Sequence, residues 1–205
     1  MAHKRVYLIR HGQTQGNAKK RYIGRRSDES LSKEGMRAAK TVSSVITDLV
    51  PDKPDRFCAS PMRRAVQTAD LLFQSPALTL IDDLAEMDFG CFEGKDHGQL
   101  NGDVCYQKWI DSNGEAQIPG GEAREAFCVR SYAAFLKALG EKTVSETIVI
   151  VCHGGTVMAV MSRLIGGDFY DYMTENLGGY CLDLELDDEG IHDVAYHRLC
   201  SWGNP

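Results

Sequence analysis

Two histidines stand at the ends of apolar runs. Arg10-His11-Gly12 follows Val6-Tyr7-Leu8-Ile9, and His153-Gly154-Gly155 follows Ile148-Val149-Ile150-Val151-Cys152. A third polar cluster, Ser60-Pro61-Met62-Arg63-Arg64, follows the short run Arg56-Phe57-Cys58-Ala59. Histidine and arginine in this combination suit phosphoryl transfer. A phosphate dianion needs positive charge and N–H donors around it, with a nucleophile in line with the leaving oxygen. The planar guanidinium of Arg10 or Arg64 donates in pairs to phosphate oxygens. A histidine nucleophile must be neutral at the attacking nitrogen, and a backbone carbonyl on its other nitrogen would fix that tautomer. The first amides of helices after Ser60 and His153 are further candidate donors.

For these residues to meet, the apolar runs must be neighbouring strands. Val6 to Ile9 reads as a short buried strand, and 147–152, apolar throughout its centre, reads as a core parallel strand. Arg56 to Ala59 is a second short strand, and a third is expected over 78–81. Helical spacing of Met36, Ala39, Val42, Ile46 and Leu49 predicts a helix capped by Ser32. The 51–54 segment reads as a turn. A helix starting at Ser60-Pro61 runs through Ala65, Ala69 and Leu72, with proline in its first turn. Further helices are expected over 122–139 and 156–164. The stretch 86–94 reads as a loop, and 95–121 is polar and without clear period. The alternating segment 180–186, the turn Asp187-Asp188-Glu189-Gly190 and the run 191–198 read as a hairpin. Strands alternating with helices predict one α/β domain over 1–205: a three-layer α/β/α sandwich on a mostly parallel sheet, with a lid-like excursion around 95–121. In such sheets ligands bind beyond the carboxyl ends of the strands, where all three polar clusters fall.

The 205 residues are 43% hydrophobic, enough for one substantial core. The formal net charge of −6 argues against nucleic acid or an anionic membrane as partner. No apolar run reaches membrane-spanning length, and only four apolar residues separate Arg5 from Arg10, too few for a secretory leader. A cytoplasmic location is expected. The seven cysteines, at 58, 91, 105, 128, 152, 181 and 200, form no CxxC and read as free thiols. The segment 180–186 fits an edge strand within a monomer or one that pairs in a homodimer.

Five blocks carry a resemblance to a known family. Leu8-Ile9-Arg10-His11-Gly12-Gln13-Thr14 with Asn17 resembles the signature of the histidine phosphatase superfamily, the phosphoglycerate mutase-like group. Ser60 to Ala69, Leu84 to Gly90 continuing to Gly94, Pro119-Gly120-Gly121-Glu122, and Val151-Cys152-His153-Gly154-Gly155 match further blocks in the same order. The resemblance spans roughly 5–164. It implies that His11 is the residue phosphorylated. It also implies that Arg10, Asn17, Arg64, His153 and Gly154 hold the phosphate, and that Glu86 protonates the leaving alcohol. Asp88 and Glu93 are the acidic rivals of Glu86. No metal and no cofactor are implied. Ala123 departs from the family pattern, where serine is frequent.

The resemblance serves two reactions. Water attacking the phosphohistidine gives a phosphatase, and a second substrate hydroxyl gives a mutase. The phosphoglycerate mutases resemble Asn-Glu-Arg at the acid block, whereas here Met87 follows Glu86. The stretch 95–121 holds only Lys95 and Lys108 as basic residues, thin for a doubly anionic sugar acid. A phosphomonoester hydrolase acting on a small metabolite is therefore expected. The short length is similar to the alpha-ribazole phosphatase group and equally to broad-specificity relatives, so alpha-ribazole 5'-phosphate is one candidate substrate. Tyr22, Phe92, Tyr106 and Trp109 read either as a wall for a ring-bearing leaving group or as ordinary core. Non-catalytic members of this fold lack a histidine or arginine that is present here.

Overall fold

The structure, a computed structural model, describes residues 1–46, 50 and 54–199. The expected helix end at Leu49, most of the expected turn over 51–54, and Cys200 lie outside the described residues. Strands β1 (Ala2–Arg10), β2 (Arg56–Ala59), β3 (Leu78–Leu80), β4 (Glu146–Cys152), β5 (Gly179–Asp187) and β6 (Gly190–Leu199) form one sheet in the order β3-β2-β4-β1-β5-β6. The pairings β3–β2, β2–β4 and β4–β1 are parallel, and β1–β5 and β5–β6 are antiparallel.

The helices are α1 (Gln15–Ala18), α2 (Lys33–Ile46), α3 (Arg63–Phe73), α4 (His97–Leu100), α5 (Val104–Asp111), α6 (Arg124–Leu139) and α7 (Gly154–Ile165). Side chains alternate faces along a strand. Tyr7, Ile9, Val149 and Val151 therefore meet Ala39, Val42 and Ile46 of α2 and Ala65, Ala69 and Leu72 of α3. Val6, Leu8, Ile148 and Ile150 meet Ala134 and Phe135 of α6 and Val157 and Val160 of α7 on the other face. Two covered faces explain why β1 and β4 read as continuous apolar runs rather than alternating ones. This is an α/β sandwich on a largely parallel, mixed sheet.

Ser32 caps α2 as expected, its Oγ accepting from the Gly35 N–H at 2.9 Å. Four details differ from the sequence reading. Met36 is exposed while Gly35 takes the buried position on α2. The helix after Ser60 starts at Arg63, because Pro61 and Met62 form the turn leaving β2 and the Ser60 Oγ accepts from the Met62 N–H at 3.4 Å. The stretch 95–121 contains α4 and α5, each opened by an aspartate cap. Phe92, Leu100, Tyr106, Trp109 and Ile118 pack there against Phe127 of α6 as a third core. The segment 180–186 is not an edge: β6 pairs along its full length, so β6 takes the edge. Among the described residues the six cysteines are free, and no helix is long and apolar enough to cross a membrane.

Candidate active site

The register sets the site. Arg10 pairs with Cys152 across β1–β4, and Ala59 with Val151 across β2–β4. Arg10-His11, Ser60 and His153 thus leave three adjacent parallel strands at the same edge. Backbone bonds extend the pairing one residue further: His11 N–H donates to the Cys152 carbonyl at 2.9 Å, and Ser60 N–H to the Val151 carbonyl at 3.0 Å. Thr68 joins α3 to this edge, accepting from the Gly12 N–H at 2.9 Å.

His11 Nδ1 lies 2.6 Å from the Gly12 carbonyl. A carbonyl only accepts, so Nδ1 carries the proton and Nε2 keeps its lone pair. Arg64 Nε–H donates to that Nε2 and to His153 Nδ1, both at 3.2 Å. His153 must then carry its proton on Nε2, which donates to Ser60 Oγ at 2.8 Å. The two rings meet edge to face, centroids 5.1 Å apart. Burial, then the Arg64 charge, pushes both histidines well below the ordinary imidazole range. Both are neutral at pH 7, as the bonding requires.

Arg64 is fully buried beneath the histidines. Its NH1 donates to the Ser27 carbonyl at 2.8 Å and its NH2 to that of Gly24 at 3.2 Å. Arg63 points outward to Asp28. The Arg63 N–H also donates to Asp28 Oδ1 at 2.7 Å, so the first amide of α3 serves that carboxylate and not the cavity.

Glu86 is buried, with Oε1 accepting from the Met87 N–H at 2.9 Å and Oε2 from the Gly155 N–H at 3.0 Å. A Cβ at Gly155 would stand 2.2 Å from Glu86 Oε1, so a side chain there would displace the carboxyl from these bonds. Burial raises the Glu86 pKa above the ordinary carboxylate value, against the two N–H bonds and the arginines, which lower it. Asp88 pairs with Arg26 at 2.8 Å and Glu93 accepts from the Gly24 N–H at 2.7 Å, and neither lines the cavity.

Arg130 of α6 grips the strap that carries Glu86. It donates to the carbonyls of Asp83 at 2.7 Å, Ala85 at 2.9 Å and Glu86 at 3.2 Å, and pairs doubly with Glu122, both bonds at 2.8 Å. Its guanidinium lies over the Phe127 ring.

A cavity of about 250 Å³ opens over His11, with Arg10, Asn17, Glu86 and Gly154 on its wall. Arg64 and His153 are not on that wall and reach the site through His11. Asn17 Oδ1 accepts from the Thr14 N–H at 3.1 Å, leaving its amide N–H groups as the end it can offer. Arg10 NH1 donates to the Thr174 carbonyl at 2.6 Å. The rest of the wall includes Tyr22, Phe89, Trp109, Phe169 and Tyr170 with Met87, Met158 and Met173. Of the four aromatics singled out from sequence, Tyr22 and Trp109 line the cavity while Phe92 and Tyr106 stay in the core behind them. Sequence reasoning missed Arg21 and Arg124, which bring cations to this wall from outside 95–121. Lys95 and Lys108 do not reach it. Arg21 stands only four residues after Asn17, a spacing that was open to notice; the others carry no local signal. Among the described residues no group of three or more His, Cys, Asp or Glu side chains is placed to hold a metal ion.

A buried neutral imidazole, arginines and a buried carboxyl of raised pKa around one small cavity form a set for phosphomonoester chemistry. Known proteins agree with this. "Putative phosphoserine phosphatase 2" of Hydrogenobacter thermophilus is 30% identical over 207 residues, covering 96% of this chain and 97% of that protein. "Probable phosphoglycerate mutase GpmB" of Proteus mirabilis is 30% identical over 170 residues, covering 78% and 74%. The crystal structure of the alpha-ribazole phosphatase from Shigella flexneri superposes with a TM-score of 0.75 at 26% identity, covering 95% of each chain. The family described as histidine phosphatase superfamily (branch 1) matches residues 6–193, and the chain belongs to that superfamily as a phosphatase-type hydrolase.

Proposed function

We propose that the protein hydrolyses a small phosphomonoester in two steps through a phosphohistidine at Nε2 of His11. The observation that carries this reading is the Nδ1–H bond to the Gly12 carbonyl, which leaves Nε2 as the nitrogen with a lone pair. In the first step Nε2 attacks phosphorus, the bond to the leaving oxygen breaks, and Glu86 gives that oxygen its proton. Arg10, Asn17, the Gly154 amide and Arg64 hold the phosphoryl oxygens, with the Arg64 Nε–H passing from the histidines to the phosphate; His153 joins them once Nδ1, freed of that bond, carries its proton and Nε2 accepts from the Ser60 O–H instead. In the second step the Glu86 carboxylate takes a proton from water, whose oxygen attacks phosphorus. The P–N bond breaks, phosphate leaves, and neutral His11 and protonated Glu86 are restored.

The leaving alcohol carries an apolar or ring-shaped body, supported by the aromatic and methionine side chains that line the cavity with His11. Alpha-ribazole 5'-phosphate is one such ester, and the likeness to the Shigella flexneri phosphatase supports it. The excursion 95–121 acts as the lid of a single domain over 1–205, since α5 carries Trp109 to the cavity. Likeness to the GpmB protein favours a second reading, phosphoryl transfer within a phosphoglycerate. Met87, buried and uncharged beside Glu86, speaks against it.

The test is phosphate release from alpha-ribazole phosphate, phosphoserine, p-nitrophenyl phosphate and 3-phosphoglycerate, with isomerisation of the last followed. His11→Ala should lower release by on the order of a thousandfold or more. Release that survives in this variant removes His11 as nucleophile. Isomerisation without release makes the protein a mutase.

A further inference from the structure

The leaving-group wall is unevenly charged. Arg21 lines the cavity, yet no ion pair or hydrogen bond engages its side chain among the described residues, and its Nε–H is buried without an acceptor. Of the other arginines there, Arg124 is committed, and Arg10 stands beside His11 at the phosphate end with its own Nε–H also buried without an acceptor. Arg124 is paired with Glu115, donates to the Asn113 carbonyl at 2.6 Å and lies over the Phe169 ring. Arg10 is bound to the Thr174 carbonyl. Among the described residues Glu86 is the one acidic side chain on the wall, and each of its oxygens already accepts a backbone N–H. A positively charged leaving group would find no free counter-ion, whereas a negatively charged or acceptor-bearing one would find Arg21.

We infer that Arg21 is a specificity-determining residue. The substrates favoured here are phosphomonoesters whose ring-bearing leaving alcohol carries a second acidic or strongly accepting group, and alcohols bearing a quaternary ammonium are rejected. The inference rests on the hydrolase reading above. The half-buried guanidinium suits a planar carboxylate in two-point contact. The aromatic wall alone would attract a cation through its ring faces. The surplus of arginine over free carboxylate sets the preference the other way.

Three esters of like shape separate these effects: 4-carboxyphenyl phosphate, phenyl phosphate and 4-(trimethylammonio)phenyl phosphate. Their kcat/KM values are measured with the native protein, Arg21→Met and Arg21→Lys. Intrinsic ester reactivity is common to all three proteins, so the ratio between esters, compared across proteins, reports position 21. The native ratio of carboxylate to ammonium ester should exceed that of Arg21→Met by about tenfold, the scale of one partly screened charge contact. Arg21→Lys should keep most of that difference and guards against loss of fold in the methionine variant. Equal ratios in native protein and Arg21→Met, or a ratio that rises in the variant, overturn the inference while leaving the hydrolase reading intact. Release from none of the three esters above the His11→Ala level removes the hydrolase reading and the inference with it.

Discussion

The two ends of the cavity are built differently. At the phosphate end Arg10, His11 and His153 stand at or next to strand termini, and backbone hydrogen bonds fix His11 and Glu86. His11 is held by the carbonyls of Gly12 and Cys152, and Glu86 by the amides of Met87 and Gly155. At the leaving-group end the wall is assembled from side chains on separated segments, including Tyr22, Met87, Trp109, Met158 and Tyr170. Those contacts are ring on ring, such as Tyr22 against Trp109 with centroids 5.5 Å apart. Backbone-fixed groups tolerate almost no displacement, whereas an apolar wall can be recut one side chain at a time. The chemistry is therefore the rigid part of the molecule, and the choice of substrate the part that single substitutions can change.

If that division is correct, changes at the phosphate end act alike on all esters. Glu86→Gln should lower kcat by roughly a hundred- to ten-thousandfold on every substrate with a poor leaving group. It should also abolish the alkaline limb of the pH profile. The acid works protonated, and its raised pKa carries that form to higher pH before activity falls. The acidic limb, set by His11 protonation, should lie below the ordinary imidazole range. Arg130→Met should cost kcat on the order of tenfold or more with little change in KM. Freed from its clamp, the Glu86 strap admits water, so the alkaline limb should move to lower pH; an unmoved profile would reduce Arg130 to scaffolding. Tyr22→Leu should cost about two- to tenfold in kcat/KM for aryl esters and leave small aliphatic esters nearly unaffected. Equal losses on both classes would contradict the division. Away from both ends, α6 starts at Ala123 in an extended cap conformation without a side-chain bond. Ala123→Ser should stabilise by about 1 kcal/mol, read as a rise in the denaturation midpoint, with activity unchanged.

The same contrast governs what could be read before the structure. β1, β2, β4, α3 and α7 were legible because parallel strands buried on both faces make unbroken apolar runs. The phosphate end was legible because His11, Arg64 and His153 belong to local strand–turn–helix units. The start of α3 was misplaced because Pro61 serves the preceding turn as well as it would a first helical turn. α4 and α5 passed unnoticed because four and eight residues are too short for a 3.6-residue period to emerge. The hairpin of β5 and β6 was legible from the alternation of 180–186 and the turn that follows it. Tyr22 and Trp109 were singled out, but the cavity position of Arg124 depends on tertiary packing, which spacing along the chain does not encode.

The single N–H that Arg64 shares between His11 Nε2 and His153 Nδ1 has a consequence for the enzyme at rest. In the mechanism proposed above, the lone pair that attacks phosphorus is already engaged, so the nucleophile is capped until an anion competes for the guanidinium. A neutral electrophile entering the empty cavity brings nothing that loosens the cap. A phosphate ester brings the oxygens that do. The substrate unlocks the group that attacks it, and stray acylation of the histidine is held back without a separate guard.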